Sequence, residues 1–282
     1  MDIWIAVWLT QFIMMFIINA FTLVVFARSR HLRRRSTYLI MNLTVADSLI
    51  AAVSGPEAIL FYIRNKKRTS FEVLYLIISD MCWIASLGNL VLISLERLHA
   101  ALYPFRHYCL VGKRIYYKII IFSWFGALTL ACGLQISRMI DVPLANRCLW
   151  IIYIFLTLAV LTTSYVIIIS KFIRRPHVQQ LGSVMSAERK LSVTLFIVSA
   201  ASILTLLPWV IIICFVISSD NYFWFQFTPL KIALTFYHLN SILNPVIYAI
   251  RLPGFRRASK ELFCKNTSYP VRRDQPIELQ AM

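Results

Sequence analysis

Asp47 stands inside a run of apolar residues, 12 positions past Arg35. A carboxylate in such a place is costly unless it is used. At about 1.5 Å per helical residue it lies some ~18 Å into the run. Ser86 is 11 residues before Arg97 and Asn240 is 11 before Arg251, so both reach a similar depth, with Asn19, Ser241 and Asn244 near the same level. One carboxylate among hydroxyls and amides is a hard-oxygen site that suits a small cation such as Na⁺, or a proton. The alternative is a buried network that only ties helices together.

A second charged group lies at the ends of two apolar runs, in Glu96-Arg97-Leu98 and Glu188-Arg189-Lys190. Arg97 can pair with Glu96 and reach across to Glu188, a contact that a partner or a proton could break. Pro208 and Pro245 each free a backbone carbonyl and allow a hinge. Tyr248 lies one turn past Pro245, and Tyr165 lies at a similar depth. Toward the opposite ends of the runs come Glu57, Glu72 and Asp80, with Ser79, Trp83, Tyr237 and His238. Acids facing a cavity favour a cationic ligand, an amine or a basic peptide. Phase tempers that for Asp80. Ser79, Ser86 and Arg97 share one helical face, and Asp80 lies about 100° round from it. The bland reading is a carboxylate bonded at a helix interface for Asp80, and pairing with Arg64, Lys66, Lys67 or Arg68 for Glu57 and Glu72.

The elements that must position these groups follow from composition. The 282 residues are 59% hydrophobic and 15% charged, with mean hydropathy +0.71, whereas soluble domains carry about 25% charged residues. Apolar runs at 3–27, 38–63, 71–96, 116–137, 148–172, 191–218 and 228–250 are each long enough to cross a bilayer as a helix. The strand-like alternation of a membrane barrel is missing. We therefore expect an all-α membrane protein, a seven-helix bundle spanning 3–252. The first run begins at Ile3 without a basic start and is expected to be a retained helix rather than a cleaved leader. The formal charge of +17 is mostly topology. Arg28 to Arg35, Arg97 to Lys118, Lys171 to Lys190 and the tail after Arg251 hold most of the basic residues, which puts residues 1–2 outside and the tail, 265–282, in the cytoplasm. No nucleic-acid partner is expected. Residues 253–264 form a short amphipathic helix. Phe255, Leu262 and Phe263 make its apolar side, Arg256, Arg257 and Lys260 meet lipid head groups, and Cys264 is a palmitoylation candidate.

Taken in order along the helices, these residues resemble the rhodopsin-like (class A) G-protein-coupled receptors. The resemblance runs from Asn19 through Asn42-Leu43-Thr44-Val45-Ala46-Asp47, Ser86, Glu96-Arg97-Leu98, Trp124, Tyr165, Pro208 and Asn244-Pro245-Val246-Ile247-Tyr248, and the match extends to Cys264. It implies that Asp47, Ser86, Asn240, Ser241 and Asn244 form a sodium site. It also implies that Arg97 leaves Glu96 and Glu188 on activation and swings toward Tyr165 and Tyr248. An extracellular ligand, a heterotrimeric G protein and arrestin are the partners it implies. Leu206 stands where the family usually has Trp, Ser202 where it has Phe, Thr157 near its helix 5 proline, and Glu72 at its outer cysteine. The missing proline, missing loop disulfide and short second outer connection are similar to the branch of melanocortin, lysosphingolipid and cannabinoid receptors. Glu57 matches a helix 2 acid of the melanocortin receptors. His238 takes the place of the retinal-bearing Lys of opsins, so no retinal is expected. Adenosine receptors have His there, but Ile213 replaces their helix 6 Asn. Amine receptors carry an Asp where Ser79 stands.

The six cysteines show no metal-ligand spacing, and Cys148 and Cys214 share the outer side. No catalytic set of His, Cys and Asp is present, so an enzyme is not expected. The competing readings are an ion-coupled transporter or channel with Asp47 on its path, which inverted repeats would support, and a constitutively active or decoy receptor.

Overall fold

The computed structural model describes residues 3–29, 32, 37–63, 70–103, 112–140, 142–174, 182–217 and 228–263. Within the helices, the side chains of 57–63, 70–72, 143, 172–174, 182–192, 213–217, 253 and 263 lie outside the described set. Among the described residues eight helices follow in order: α1 (Ile3–Arg28), α2 (Thr37–Ile63), α3 (Ser70–Leu102), α4 (Lys113–Met139), α5 (Pro143–Arg174), α6 (Gly182–Ile217), α7 (Thr228–Arg251) and α8 (Pro253–Phe263). Helices α3, α5 and α6 run past the apolar windows at their polar ends. Hydropathy marks only the part of a helix that suits lipid, while backbone hydrogen bonding continues beyond it.

Six of the described helices, α1 to α6, are long and apolar enough to cross a membrane. Helix α7 is the polar one, and its His238, Asn240, Ser241 and Asn244 are all buried against the other helices. The bundle is apolar outside and polar within. Phe122 and Phe125 on α4 are 77% and 67% exposed, while Asn19, Asp47, Asn89 and Ser241 are fully buried. That inversion is what a helix bundle in lipid requires.

Helix α3 lies at the centre, packed against α2, α4, α5 and α6, while α1 and α7 close the ring and α7 packs on α6. Its Asn89 carries a tie across three helices. The Asn42 amide of α2 donates to Asn89 Oδ1 at 2.6 Å, and the Trp124 indole of α4 donates to Asn42 Oδ1 at 2.9 Å. Helix α8 folds back under the bundle. Phe255 and Ala258 are buried, Phe255 meets Phe26 at 5.3 Å between ring centroids, and Arg256, Arg257 and Lys260 are exposed. Gly254 permits this approach, since a Cβ there would stand 3.0 Å from Leu32 Cδ2.

Candidate functional site

Three helices converge on Asp47. The Ser86 hydroxyl of α3 donates to Asp47 Oδ1 at 2.6 Å, the Ser241 hydroxyl of α7 donates to the same oxygen at 2.8 Å, and the Asn244 amide donates to Oδ2 at 3.0 Å. Ser241 and Asn244 are three residues apart and so share a helical face. Asn240 is buried but makes no bond to Asp47, and its Oδ1 has no partner among the described residues. It lies about 100° round α7 from Ser241. Asn19 joins by a different route. Pro245 has no N–H, so the carbonyl of Ser241, four residues earlier, loses its helical donor. The Asn19 amide supplies one at 3.1 Å, and it also donates to the Met15 carbonyl at 3.0 Å.

The donor set suits a small hard cation. It is made of oxygens around one carboxylate, and no ion pair to Asp47 occurs among the described residues. The carbonyl-type oxygens Asn19 Oδ1, Asn240 Oδ1 and Asn244 Oδ1 are buried with no protein donor there. Unspent buried acceptors at one level are what a cation or ordered water would satisfy.

Nearer the other end of α3, Arg97 is 1% exposed and forms a two-point pair with Glu96, through Nε to Oε2 and a terminal nitrogen to Oε1. Sequence reasoning missed the third member. The buried Tyr116 of α4 donates its hydroxyl to Glu96 Oε1 at 3.1 Å. Glu188, the expected second partner of Arg97, has its side chain outside the described residues. Lys171 of α5 donates its ammonium to the carbonyls of Ala101 and Leu102, capping the last turn of α3. Tyr165 turns toward α6, donating to the Leu195 carbonyl at 3.1 Å. Tyr248 is fully buried beside Phe26, and its hydroxyl has no partner among the described residues. Pro208 and Pro245 both lie inside their helices, as does Pro56 in α2, which sequence reasoning passed over.

At the opposite end the aromatic candidates gather. Trp83 lies 4.4 Å from Tyr237 and stacks on His238 at 5.6 Å, Trp209 of α6 meets Tyr237 at 5.7 Å, and Phe12 of α1 meets His238 at 4.7 Å. His238 Nδ1 is buried without a partner among the described residues. Ser79 faces Ser54 at 3.3 Å. Asp80 stands apart from this group. It turns to α4, where Gln135 donates to Oδ2 at 2.7 Å and Arg138 pairs with the same oxygen at 3.0 Å. Its own helical phase favoured that interface. Glu57 has its side chain outside the described residues, as do Glu72 and Cys214, and Cys264 lies beyond them. Cys148 is an exposed free thiol. Among the described residues no cluster of three His, Cys, Asp or Glu side chains could hold a metal ion.

The family model of the 7 transmembrane receptor (rhodopsin family) matches residues 18–248, from Ile18 in α1 to Tyr248 in α7. The chain belongs to that family. The receptor is 23% identical over 281 residues to melanocortin receptor 5 of Homo sapiens, covering 94% of this chain and 85% of that one. It is 25% identical over 275 residues to trace amine-associated receptor 7e of Rattus norvegicus, covering 82% and 74%. It is also 31% identical over 109 residues to proteinase-activated receptor 4 of Mus musculus, a match spanning 38% of this receptor and 27% of the mouse protein. It is a multi-pass membrane protein and a G-protein-coupled receptor. The transporter or channel reading is not favoured.

The receptor's departures from the family pattern have definite places in the fold. Leu206 is fully buried in the core shared by α3, α5, α6 and α7. Ser202 bonds back to the Val198 carbonyl of its own helix at 2.9 Å, and Thr205 to that of Ala201 at 3.0 Å. Such back-bonding bends helices slightly, so α6 carries two bending devices just before Pro208.

Proposed function

We propose that the receptor is a two-state bundle in the cell membrane, N-terminus outside, which converts binding of an extracellular ligand into activation of a heterotrimeric G protein. One observation carries this reading: the central helix α3 bonds through Ser86 to the buried Asp47 carboxylate of α2, which α7 also holds, and carries the buried, paired Arg97 nearer its other end. Asp47 holds α2, α3 and α7 in register. Ser86, Asn240, Ser241 and Asn244 are the residues that would hold Na⁺ with it. Sodium bound there supplies a fixed positive charge that balances the Asp47 carboxylate. With Glu96 and Tyr116 engaged, Arg97 stays folded against α3. When α6 moves outward, Arg97 leaves Glu96 and turns toward Tyr165 and Tyr248, opening the cleft that receives the G protein. Ligand enters from the Trp8 end, where Ser79, Trp83, Tyr237 and His238 line the inward faces, with Glu57 as a candidate acid on α2. The exposed Arg256, Arg257 and Lys260 of α8 face lipid head groups, Cys264 is a lipidation candidate, and arrestin is a further cytoplasmic partner.

The test is a ligand screen in cells carrying G-protein biosensors. Amines, short basic peptides, nucleosides and lipids are applied in turn. A saturable response to one class is expected. Silence to all four, together with a basal signal equal to that of cells lacking the receptor, contradicts the reading.

A further inference from the structure

Tyr165 interrupts a pattern that α6 otherwise keeps. Ser202 and Thr205 each bond back to the carbonyl four residues earlier, the ordinary retreat of a hydroxyl inside an apolar helix. Ser199 has the same option, with the Leu195 carbonyl four residues behind it. It does not take it. The Tyr165 hydroxyl of α5 is inserted between the two, donating to the Leu195 carbonyl at 3.1 Å and accepting from Ser199 Oγ at 3.1 Å. The Tyr165 ring also meets Phe196 edge-on at 5.3 Å. All three α6 residues lie within little more than one turn, and Tyr165, Leu195 and Ser199 are buried.

Resting on the two-state reading above, we infer that Ser199 is a positioning residue that latches Tyr165 to α6 in the resting receptor and allows its release without stranding a buried polar group. When Tyr165 departs, Ser199 turns back onto the vacated Leu195 carbonyl, as Ser202 and Thr205 already do on theirs. The Tyr248 hydroxyl, buried with no partner among the described residues, is available to receive Tyr165. Neither position leaves the Ser199 hydroxyl without an acceptor, so for Ser199 the exchange avoids the large penalty of an orphaned buried hydroxyl. The latched position is the better one for Ser199. There it bonds a hydroxyl oxygen, whereas after retreat it shares a carbonyl already accepting from the helix backbone.

Removing the hydroxyl therefore tilts the balance toward release. One net hydrogen bond shifts an equilibrium by roughly two- to tenfold, and the retreat available to Ser199 offsets part of that. In membranes at matched receptor density, with no ligand, Ser199→Ala is expected to raise basal GTPγS uptake by a panel of heterotrimeric G proteins about two- to fivefold. Ser199→Thr keeps a hydroxyl and should keep the wild-type basal rate. Tyr165→Phe loses the latch and the switch hydroxyl together, so its basal rate should not rise. Basal uptake by Ser199→Ala equal to wild type overturns the inference. So does a rise that Ser199→Thr shares, since the hydroxyl would then not be the cause. If Arg97→Ala still signals, the two-state reading itself fails. If Arg97→Ala is silent while Ser199→Ala matches wild type, the latch alone fails.

Discussion

Arg97→Ala should leave the receptor on the cell surface and cut G-protein activation tenfold or more. The guanidinium is buried in a two-point pair with Glu96, and a buried ion pair is weak evidence of a purely stabilising role. Helix α3 does not depend on it for shape, because Asn89, Ser86 and Lys171 tie the helix to α2, α4 and α5 by other bonds. Glu96 keeps its bond from Tyr116 in the variant. The expected loss therefore falls on coupling, with agonist binding and surface density retained. Arg97→Lys keeps the charge but not the two-point fork, and should lie between the two. The measurement is GTPγS uptake in membranes normalised to surface receptor. Full signalling by Arg97→Ala would remove the guanidinium from the mechanism.

Asp47→Asn should erase the effect of sodium on agonist affinity. Coupling between two sites runs about 1–3 kcal/mol, a shift of about five- to 150-fold, and a neutral amide at position 47 should bring that factor close to one. The exchange is mild for the fold. An amide oxygen there still accepts from Ser86 and Ser241. The new NH₂ would face the Asn244 donor, but Asn244 Oδ1 has no partner among the described residues, so a half-turn of that amide offers an acceptor instead. Loss of sodium sensitivity would thus come from lost charge rather than lost packing. Agonist competition in sodium and in N-methylglucamine is the comparison. An unchanged sodium shift in the variant would place the ion elsewhere.

The bundle was legible because membrane helices announce themselves twice, by length and by apolarity, and α1 to α6 do both. Helix α7 was legible only from its whole pattern, since its polar residues weaken the apolar signal and are the reason the helix matters. Helix ends were not legible where α3 and α6 continue past the lipid-like stretch on backbone bonding alone. Depth along a helix can be counted from a charged end, and that placed Asp47, Ser86, Ser241 and Asn244 together. Depth says less about rotation, which is why Asn240, at the same level, makes no direct bond to Asp47 while Ser241 and Asn244 do. Partners across helices were the least legible. Nothing in the spacing of Tyr116, Asn89, Gln135 or Ser199 names the residue each one meets, because that depends on which neighbour lies opposite. A polar residue in an apolar helix is the one available signal, and it marks a need for a partner rather than its identity.

The central claim is that the Asp47 cluster and the Arg97 pair are two ends of one switch. Spin labels at the Arg97 ends of α3 and α6, read by pulsed electron resonance with nucleotide-free G protein present, measure it directly. Replacing sodium with N-methylglucamine should lengthen the distance between the labels in the wild type and leave it unchanged in Asp47→Asn. A wild-type distance indifferent to sodium would contradict the account.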